Sequence, residues 1–194
     1  MRLKEKTCRQ CKTVYLPTRP LQSVCSLPCA LAQSRAKQQI AERKKQKQEK
    51  AEIKKRKDGL KTRSVWIKEC QTAVNSYVRE RDRNKPCVSC GATYGDVVYG
   101  GQRDAGHYRS TGSAPHLRFC LIQIWSQCVK CNRNLSGNSV EYRKELVKRI
   151  GLERVEALEH DDNYRKYTIE YLRRLKRLMN RRARYYKRLR DAGR

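Results

Sequence analysis

Two Cys-x-x-Cys pairs bracket the residues of this sequence whose chemistry is most specific. Cys87 and Cys90 form one pair, and Cys128 and Cys131 form the other. Each pair has the spacing that places two thiolates on one metal ion, and two pairs complete a tetrahedral Cys₄ zinc site. Because four thiolates leave no open coordination position, we expect this zinc to hold structure. Any reaction would then depend on the residues that the zinc positions.

Three polar residues between and beside the pairs could carry such a reaction. An imidazole such as His107 can take a proton from water, so that the water attacks phosphorus. A divalent ion, Mg²⁺ or Mn²⁺, held by the carboxylate of Asp104 and the amide oxygen of Asn132 can neutralise the leaving oxygen. A strand, zinc knuckle and helix carrying these residues have the layout of a ββα-metal, or HNH, nuclease. His116 and His160 lack this context, and we expect structural roles for both.

A second set of four cysteines lies near the N-terminus. Its members are Cys8, Cys11, Cys25 and Cys29. Their spacing predicts a Cys₄ zinc finger in residues 1–30. A redox role is disfavoured because no βαβ pattern surrounds the motif, and an iron–sulfur cluster is disfavoured because the pairs resemble zinc-knuckle spacing more than ferredoxin spacing. The two remaining cysteines, Cys70 and Cys120, are expected to be small buried or half-buried hydrophobic residues.

The charge of the chain indicates a polyanionic partner. The 194 residues include 47 lysines and arginines against 19 aspartates and glutamates, which gives a formal net charge of +28. This excess is far larger than solubility requires, and nucleic acid is the commonest polyanion. No apolar run approaches the ~20 residues of a membrane span, and no apolar signal core is present. We therefore expect a protein of a reducing cytoplasm, where paired cysteines indicate metal sooner than disulfide.

The pattern of apolar and charged residues predicts a helix-rich α+β fold with four segments. An N-terminal finger in residues 1–30 is followed by a basic helical linker in 31–62, a zinc-clamped core with packing helices in 63–160, and a basic C-terminal helix in 161–194. Residues 165–190 hold twelve basic side chains and one acidic one, with tyrosines interleaved, which favours contact with DNA phosphates and bases.

Within the core, apolar periodicity predicts a structural helix from Ser64 to about Arg83. Val97, Val98 and Tyr99 predict a strand, Gly100-Gly101 a turn, residues 103–108 a return strand, and residues 132–137 a helix. Two further amphipathic helices follow Ser139, and Thr168 is expected to cap the C-terminal helix.

These motifs resemble the Rap/NinG recombination endonucleases of lambdoid phages. The resemblance is carried over nearly the whole chain by C-R-Q-C, R-S-V-W-I-K, A-V-N-S-Y-V-R-E-R-D, P-C-V-S-C-G, D-A-G-H-Y-R, A-P-H-L-R-F, Q-C-V-K-C-N and S-G-N. It implies a DNA structure-specific endonuclease that cuts Holliday junctions and D-loops in the bacterial host cytoplasm, with phage or host recombination proteins as further partners. The core is also similar to zinc-clamped HNH resolvases, which implies His107 as the base and Asn132 as a metal ligand.

Two positions depart from the patterns of these families. HNH enzymes usually place an aspartate directly before the base, where this chain has Gly106. The Rap/NinG family carries Asn-Ile-His before the second cysteine pair, where this chain has Gln123, Ile124 and Trp125. Gln123 can still orient a backbone through hydrogen bonds, but Trp125 can neither bind metal nor transfer protons. A non-catalytic zinc-finger protein that binds nucleic acid is therefore the alternative to the endonuclease.

We also expect a homodimer at a junction. The chain has one candidate catalytic centre, whereas resolving a four-way junction requires two cuts in opposed strands, and closed two-fold assembly is the commonest form of homo-oligomer. The apolar faces of the helices after Ser139 are the candidate interface. The competing expectation is a monomer whose helices fold back on its own core.

Overall fold

The computed structural model describes residues 4–93 and 103–193. The chain divides into two compact units, Met1–Lys61 and Thr62–Arg194. The strand expected at Val97–Tyr99 and the turn at Gly100-Gly101 lie outside the described residues. No helix in the described part of the chain is long and apolar enough to cross a membrane.

The first unit joins a small hairpin to a long basic helix. Strands β1 (Lys6–Thr7) and β2 (Val14–Tyr15) pair antiparallel. Helix α1 runs from Leu27 to Gly59, and the Ser26 hydroxyl accepts a hydrogen bond from the Cys29 N–H at its start. None of the 33 residues of α1 is buried, as expected of a strongly charged sequence without an apolar stripe.

The core of the second unit is built on two long helices. Helix α2 spans Arg63–Arg81 and helix α5 spans Ile169–Asp191. They pack side by side in the same direction, since Glu69 pairs with Lys176 at 2.7 Å and Glu80 pairs with Arg190 at 2.9 Å. The cap of α2 is Thr62, one residue before Arg63, rather than the predicted Ser64; Thr168 caps α5 as predicted.

Apolar side chains at helical spacing on both helices form one buried cluster with the sheet. The members from α2 and α5 include Trp66, Cys70, Val74, Tyr77, Leu172 and Met179. The complete burial of Cys70 confirms its expected role as a small hydrophobic residue.

A two-stranded sheet lies against α2. Strand β3 (Arg103–His107) pairs antiparallel with β4 (Ile124–Cys128), so that His107 lies opposite Ile124 and Arg103 lies opposite Cys128. A short helical turn, Lys130–Asn134, follows β4. Strand β3 falls within the return strand predicted at 103–108, whereas β4 was not predicted from the sequence. The helical turn is shorter and begins two residues earlier than the predicted helix at 132–137.

Helices α3 (Ser139–Ile150) and α4 (Leu152–Glu159) fold back on the core. Tyr142, Leu146, Val155 and Leu158 are buried in a second cluster of the same chain. Most of the apolar faces that suggested a dimer interface are therefore covered within the chain, as the competing expectation has it, while Val140 and Leu152 stay 67% and 49% exposed.

The residue before His107 is a glycine because β4 leaves no room for a side chain. A Cβ added at Gly106 would lie 2.2 Å from Oε1 of Gln127 and 3.0 Å from its Cβ. Gln127 is fully buried and donates hydrogen bonds from Nε2 to Ser89 Oγ at 2.7 Å and to the carbonyl of Gly137 at 2.6 Å. The amide of Gln127 cannot withdraw without losing these bonds, so the aspartate that HNH enzymes usually carry does not fit at this position.

We expect Gly106→Ala to lower the free energy of unfolding by about 1–3 kcal/mol, the usual cost of overpacking a closed core. Gly112→Ala is the matched control, because a Cβ there meets its nearest atom, Ser110 Oγ, at an ordinary 3.7 Å. Urea unfolding followed by circular dichroism measures both variants. Equal stability of the two would show that Gln127 moves aside at no cost.

Candidate functional site

Four cysteine sulfurs converge where β4 ends. Cys87, Cys90, Cys128 and Cys131 each offer a sulfur, and the four sulfurs lie within 4.8 Å of one another. Backbone N–H groups point at them: Cys128 N–H donates to Cys87 Sγ at 3.3 Å, and Cys131 N–H donates to Cys128 Sγ at 3.4 Å. Burial raises the pKa of Cys87, but N–H donors from Cys128 and Cys90 outweigh it and hold the pKa at about 7. This cluster could hold a zinc ion.

The second predicted cluster also forms. Cys8, Cys11, Cys25 and Cys29 bring their sulfurs within 4.8 Å of one another. Cys11 Sγ lies 3.5 Å from Cys25 Sγ, and the Cys25 N–H donates to Cys8 Sγ at 3.4 Å. The grouping of all eight cysteines into two sets of four is therefore confirmed, and both sets could hold zinc.

A polar cavity of 330 Å³ lies beside the sheet of the second unit. Its side chains come from α2, β3, the following loop and the turn after β4. They include Gln71, Asn75, His107, Ser110, Thr111 and Asn132. Ser136 and Ser139, around the start of α3, complete the lining. Hydroxyls, amides and one imidazole dominate this surface, and no carboxylate lines it within the described residues.

His107 stands at the end of β3, and its surroundings favour the neutral ring. Its Nε2 lies 3.1 Å from the backbone carbonyl of Arg118. We assign the ring proton to Nε2 because a carbonyl can only accept, and this leaves the lone pair on Nδ1. Burial lowers the pKa of His107, and the carbonyls of Arg118 and Ala105 only partly offset this. A neutral imidazole at neutral pH is the form that a general base requires.

Asp104 does not line the cavity. It lies three residues before His107, and alternation along a strand places the two side chains on opposite faces. Arg133 donates to both oxygens of Asp104, at 2.8 and 2.9 Å, and Asn132 Nδ2 donates to Oδ2 at 2.9 Å. Burial raises the pKa of Asp104, but the bonds from Arg133 and Asn132 outweigh it, so the net shift is downward. The Asp104 carboxylate therefore orients the side-chain amide of Asn132. The Oδ1 atom of Asn132 has no hydrogen bond among the described residues.

Sequence reasoning missed the contribution of α2 to the cavity. Gln71 Nε2 donates to Asn75 Oδ1 at 2.7 Å and lies 3.5 Å from His107 Nε2. The apolar stripe beside these two residues is so clear that the sequence predicts only a structural helix there. Their spacing of four residues places two amides on one face of α2. This pair was the sequence signal that could have indicated a polar surface on the helix.

Gln123 and Trp125, which replace the asparagine and histidine of the Rap/NinG pattern, do not line the cavity. Gln123 is fully buried: its Nε2 donates to the Leu117 carbonyl at 2.9 Å, and its Oε1 accepts from Arg109 N–H at 2.8 Å. Gln123 thus orients the loop between β3 and β4, as its amide suggested.

Trp125 lies away from the cavity and between cations. Arg81 and Arg149 stand 4.5 and 4.6 Å from its ring centroid, and Lys85 stands at 4.9 Å. Such contacts stabilise a partly buried indole. His116 and His160 do not line the cavity either, and each contacts a backbone carbonyl, of Asp161 and Glu156 respectively.

Comparison with known proteins identifies the family. The family model described as "Bacteriophage Lambda NinG protein" matches residues 1–191. Proteins named "Protein ninG" from Escherichia phage 933W and Escherichia phage lambda are 47% and 48% identical over 142 and 139 residues. These matches cover 73% and 72% of this chain but 65% and 63% of the relatives' own lengths. No solved structure matches. The chain belongs to the bacteriophage lambda NinG protein family.

Proposed function

We propose that this protein is an endonuclease that cuts branched DNA, with Holliday junctions and D-loops as its substrates. The observation that carries the proposal is His107: a neutral imidazole, fixed by the Arg118 carbonyl, at a polar cavity that also holds Asn132. Two strands and a helical turn present these side chains, and the cysteine cluster lies at the end of the same sheet. The net charge of +28 supplies the attraction to DNA.

The residues of the cavity suit hydrolysis of a phosphodiester. Nδ1 of His107 takes a proton from the attacking water while the water oxygen bonds to phosphorus. The bond from phosphorus to the leaving oxygen breaks, and that oxygen takes a proton from solvent water. Hydroxyls of Ser110 and Thr111 donate hydrogen bonds to phosphate oxygens, and the positive end of α3, which begins at Ser139, favours the negative charge that develops. The Arg118 carbonyl accepts from Nε2–H and stabilises the imidazolium formed in this step.

The arrangement does not fit the expectation that Asp104 binds Mg²⁺ or Mn²⁺. Magnesium is usually bound through one or two carboxylates together with substrate phosphates. The carboxylate of Asp104 is already paired with Arg133, and no other acid lines the cavity in the described part of the chain. We therefore assign Asp104 to the positioning of Asn132, and no step of the mechanism depends on a divalent ion.

The zinc sites belong to the same proposal as structural centres. Each cluster offers four thiolates and no open position, which is the composition of a structural zinc site. Zinc would fix the Lys130–Asn134 turn, and with it Asn132, against the segment that carries Cys87.

We expect two zinc ions per folded chain, one for each cluster. Cys131→Ser should lower the content to about one ion and destabilise the second unit, because a structural zinc contributes directly to folding. Cys29→Ser is the matched control: it should also lose one ion but leave the second unit folded. Elemental analysis and thermal unfolding measure these effects. Folded protein without zinc, or with a bound iron–sulfur chromophore, would contradict the assignment.

His107→Ala should bind a four-way junction like the parent protein but cut it about 10²–10⁴-fold more slowly, the usual contribution of a general base. Gel shift and single-turnover cleavage of a labelled junction, with Mg²⁺, with Mn²⁺ and with no added divalent ion, measure the two properties. His160→Ala, a histidine outside the cavity, is the control. Full cleavage by His107→Ala, or loss of binding, would refute the role of His107.

The pH profile of cleavage gives an independent check. The rate should fall as the pH decreases through the pKa of His107, because the protonated ring cannot accept a proton. Burial lowers that pKa below 6.5, so the fall should lie on the acid side of pH 6.5. A midpoint above that value would point to another group.

The alternative is a zinc-finger protein that binds nucleic acid without cutting it. The pairing of Asp104 with Arg133 favours this alternative. A divalent ion is the usual means of stabilising the leaving oxygen in phosphodiester cleavage, and the cavity, within the described residues, has no acidic ligand for one. Junction binding by the parent protein without cleavage under any of the three ion conditions would support it.

Two cuts in opposed strands favour a homodimer on the junction. Because most of the apolar side chains of α3 and α4 are buried within the chain, these helices leave only Val140 and Leu152 as exposed large apolar side chains for the interface of such a dimer. Sedimentation of the protein–junction complex should give two chains per junction. One chain that cuts both strands at coupled rates would exclude the dimer.

A further inference from the structure

The arginines of α5 fall into two sets that face different surroundings. One set packs onto α2. Its members are Arg173, Arg182 and Arg190. Arg173 lies 5.0 Å from the ring centroid of Trp66, Arg182 lies 5.8 Å from that of Tyr77, and Arg190 pairs with Glu80 at 2.9 Å. These three cations have partners inside the fold.

The other set forms an arginine stripe along the outer side of α5. Its members are Arg174, Arg177, Arg181, Arg184 and Arg188, all exposed. Their spacing of three and four residues keeps them on one face of a helix. None of them makes an ion pair or side-chain hydrogen bond with any residue that the structure describes. Two surface grooves, of 660 and 510 Å³, run between these side chains.

An anionic partner would relieve the mutual repulsion along this stripe. Like charges one helical turn apart repel each other. Glu80 and Asp191 both pair with Arg190 of the other set, and Glu69 pairs with Lys176, so none of these three acids neutralises the stripe. From Arg174 to Arg188 the stripe extends about 21 Å, at 1.5 Å per residue. Its partner must therefore be an extended anion rather than a single ion.

We propose that the arginine stripe of α5 binds the phosphate backbone of a nucleic acid, separately from the cavity at His107. This inference rests on the proposed function in one respect, the nucleic-acid partner, and not on cleavage. Guanidinium groups match phosphate geometry through paired hydrogen bonds. Tyr185 lies within the stripe, four residues after Arg181, and its side chain is 52% exposed, which offers an aromatic face to a sugar or base.

A membrane surface fits this helix less well. An amphipathic helix binds lipid by inserting its apolar face, but Leu172, Met179 and Ala183 of α5 are buried in the core with α2. The side of α5 that faces outward is cationic along most of its length.

Two triple variants with equal charge change test the proposal. Arg177→Gln, Arg181→Gln and Arg184→Gln together remove the middle of the stripe, whereas Arg173→Gln, Arg182→Gln and Arg190→Gln remove the packing set. Fluorescence anisotropy with a short unbranched duplex, in buffer without divalent ions, measures the affinity across a salt series. The stripe variant should lower the slope of log K against log salt by about 2.7, at about 0.9 for each phosphate that is no longer neutralised. The packing variant should keep most of the slope but unfold at a lower temperature.

Equal reductions of the slope in the two variants would overturn the proposal, because they would show that only the net charge matters. An unchanged slope in the stripe variant would overturn it as well. Displacement of the duplex by polyglutamate at matched charge, with the same weakening in the stripe variant, would assign the stripe to an acidic protein instead. Because the assay uses an unbranched duplex and reads binding alone, a failure of the endonuclease proposal leaves its outcome unaffected.

Discussion

The convergence of four sulfurs at the end of the β3–β4 sheet is the constraint on which the site of this protein depends. An isolated two-stranded hairpin is marginally stable in water, and here its strands are joined by 16 residues with only two short 3₁₀ turns between them. Cys128 ends β4, Cys131 lies in the following turn, and Cys87 and Cys90 lie beyond α2. Drawing these sulfurs together ties the turn that carries Asn132 to the segment after α2, while α2 itself packs against the sheet.

The buried hydroxyl of Tyr142 is a second link that holds the two strands together. Tyr142 of α3 is fully buried, and its hydroxyl lies 3.0 Å from the Gly106 carbonyl and 2.9 Å from the Gln123 carbonyl, to either of which it can donate. The same oxygen accepts from Trp125 N–H at 3.1 Å. Burial raises the pKa of Tyr142, so the phenol keeps its proton. The Tyr142 side chain therefore links α3 to both strands of the sheet. These bonds hold the end of β3, where His107 lies.

Much of this architecture follows from local sequence signals, because metal spacing and helical periodicity are short-range patterns. They predicted both cysteine clusters, the apolar face of α2 and the start of α5 at Thr168. The role of Asp104 depends instead on strand alternation and on Arg133, which is 29 residues away in sequence. The amides of Gln71 and Asn75 were hidden for the opposite reason: they share a helix with a strong apolar stripe, and nothing local shows that its polar side borders a cavity.

Tertiary structure also decides which of the many positive charges of the chain have partners inside the fold. Arg81 and Arg149 stack on Trp125, and Arg173 and Arg182 lie over rings of α2. In these places a planar guanidinium contributes packing area as well as charge. Arginines on the outer face of α5 differ from Arg173 and Arg182 in neither residue type nor neighbourhood in sequence, but only in the direction that the helix gives them. Composition therefore indicates a polyanionic partner for the protein as a whole, and the packing of α5 on α2 decides which cations are left to meet it.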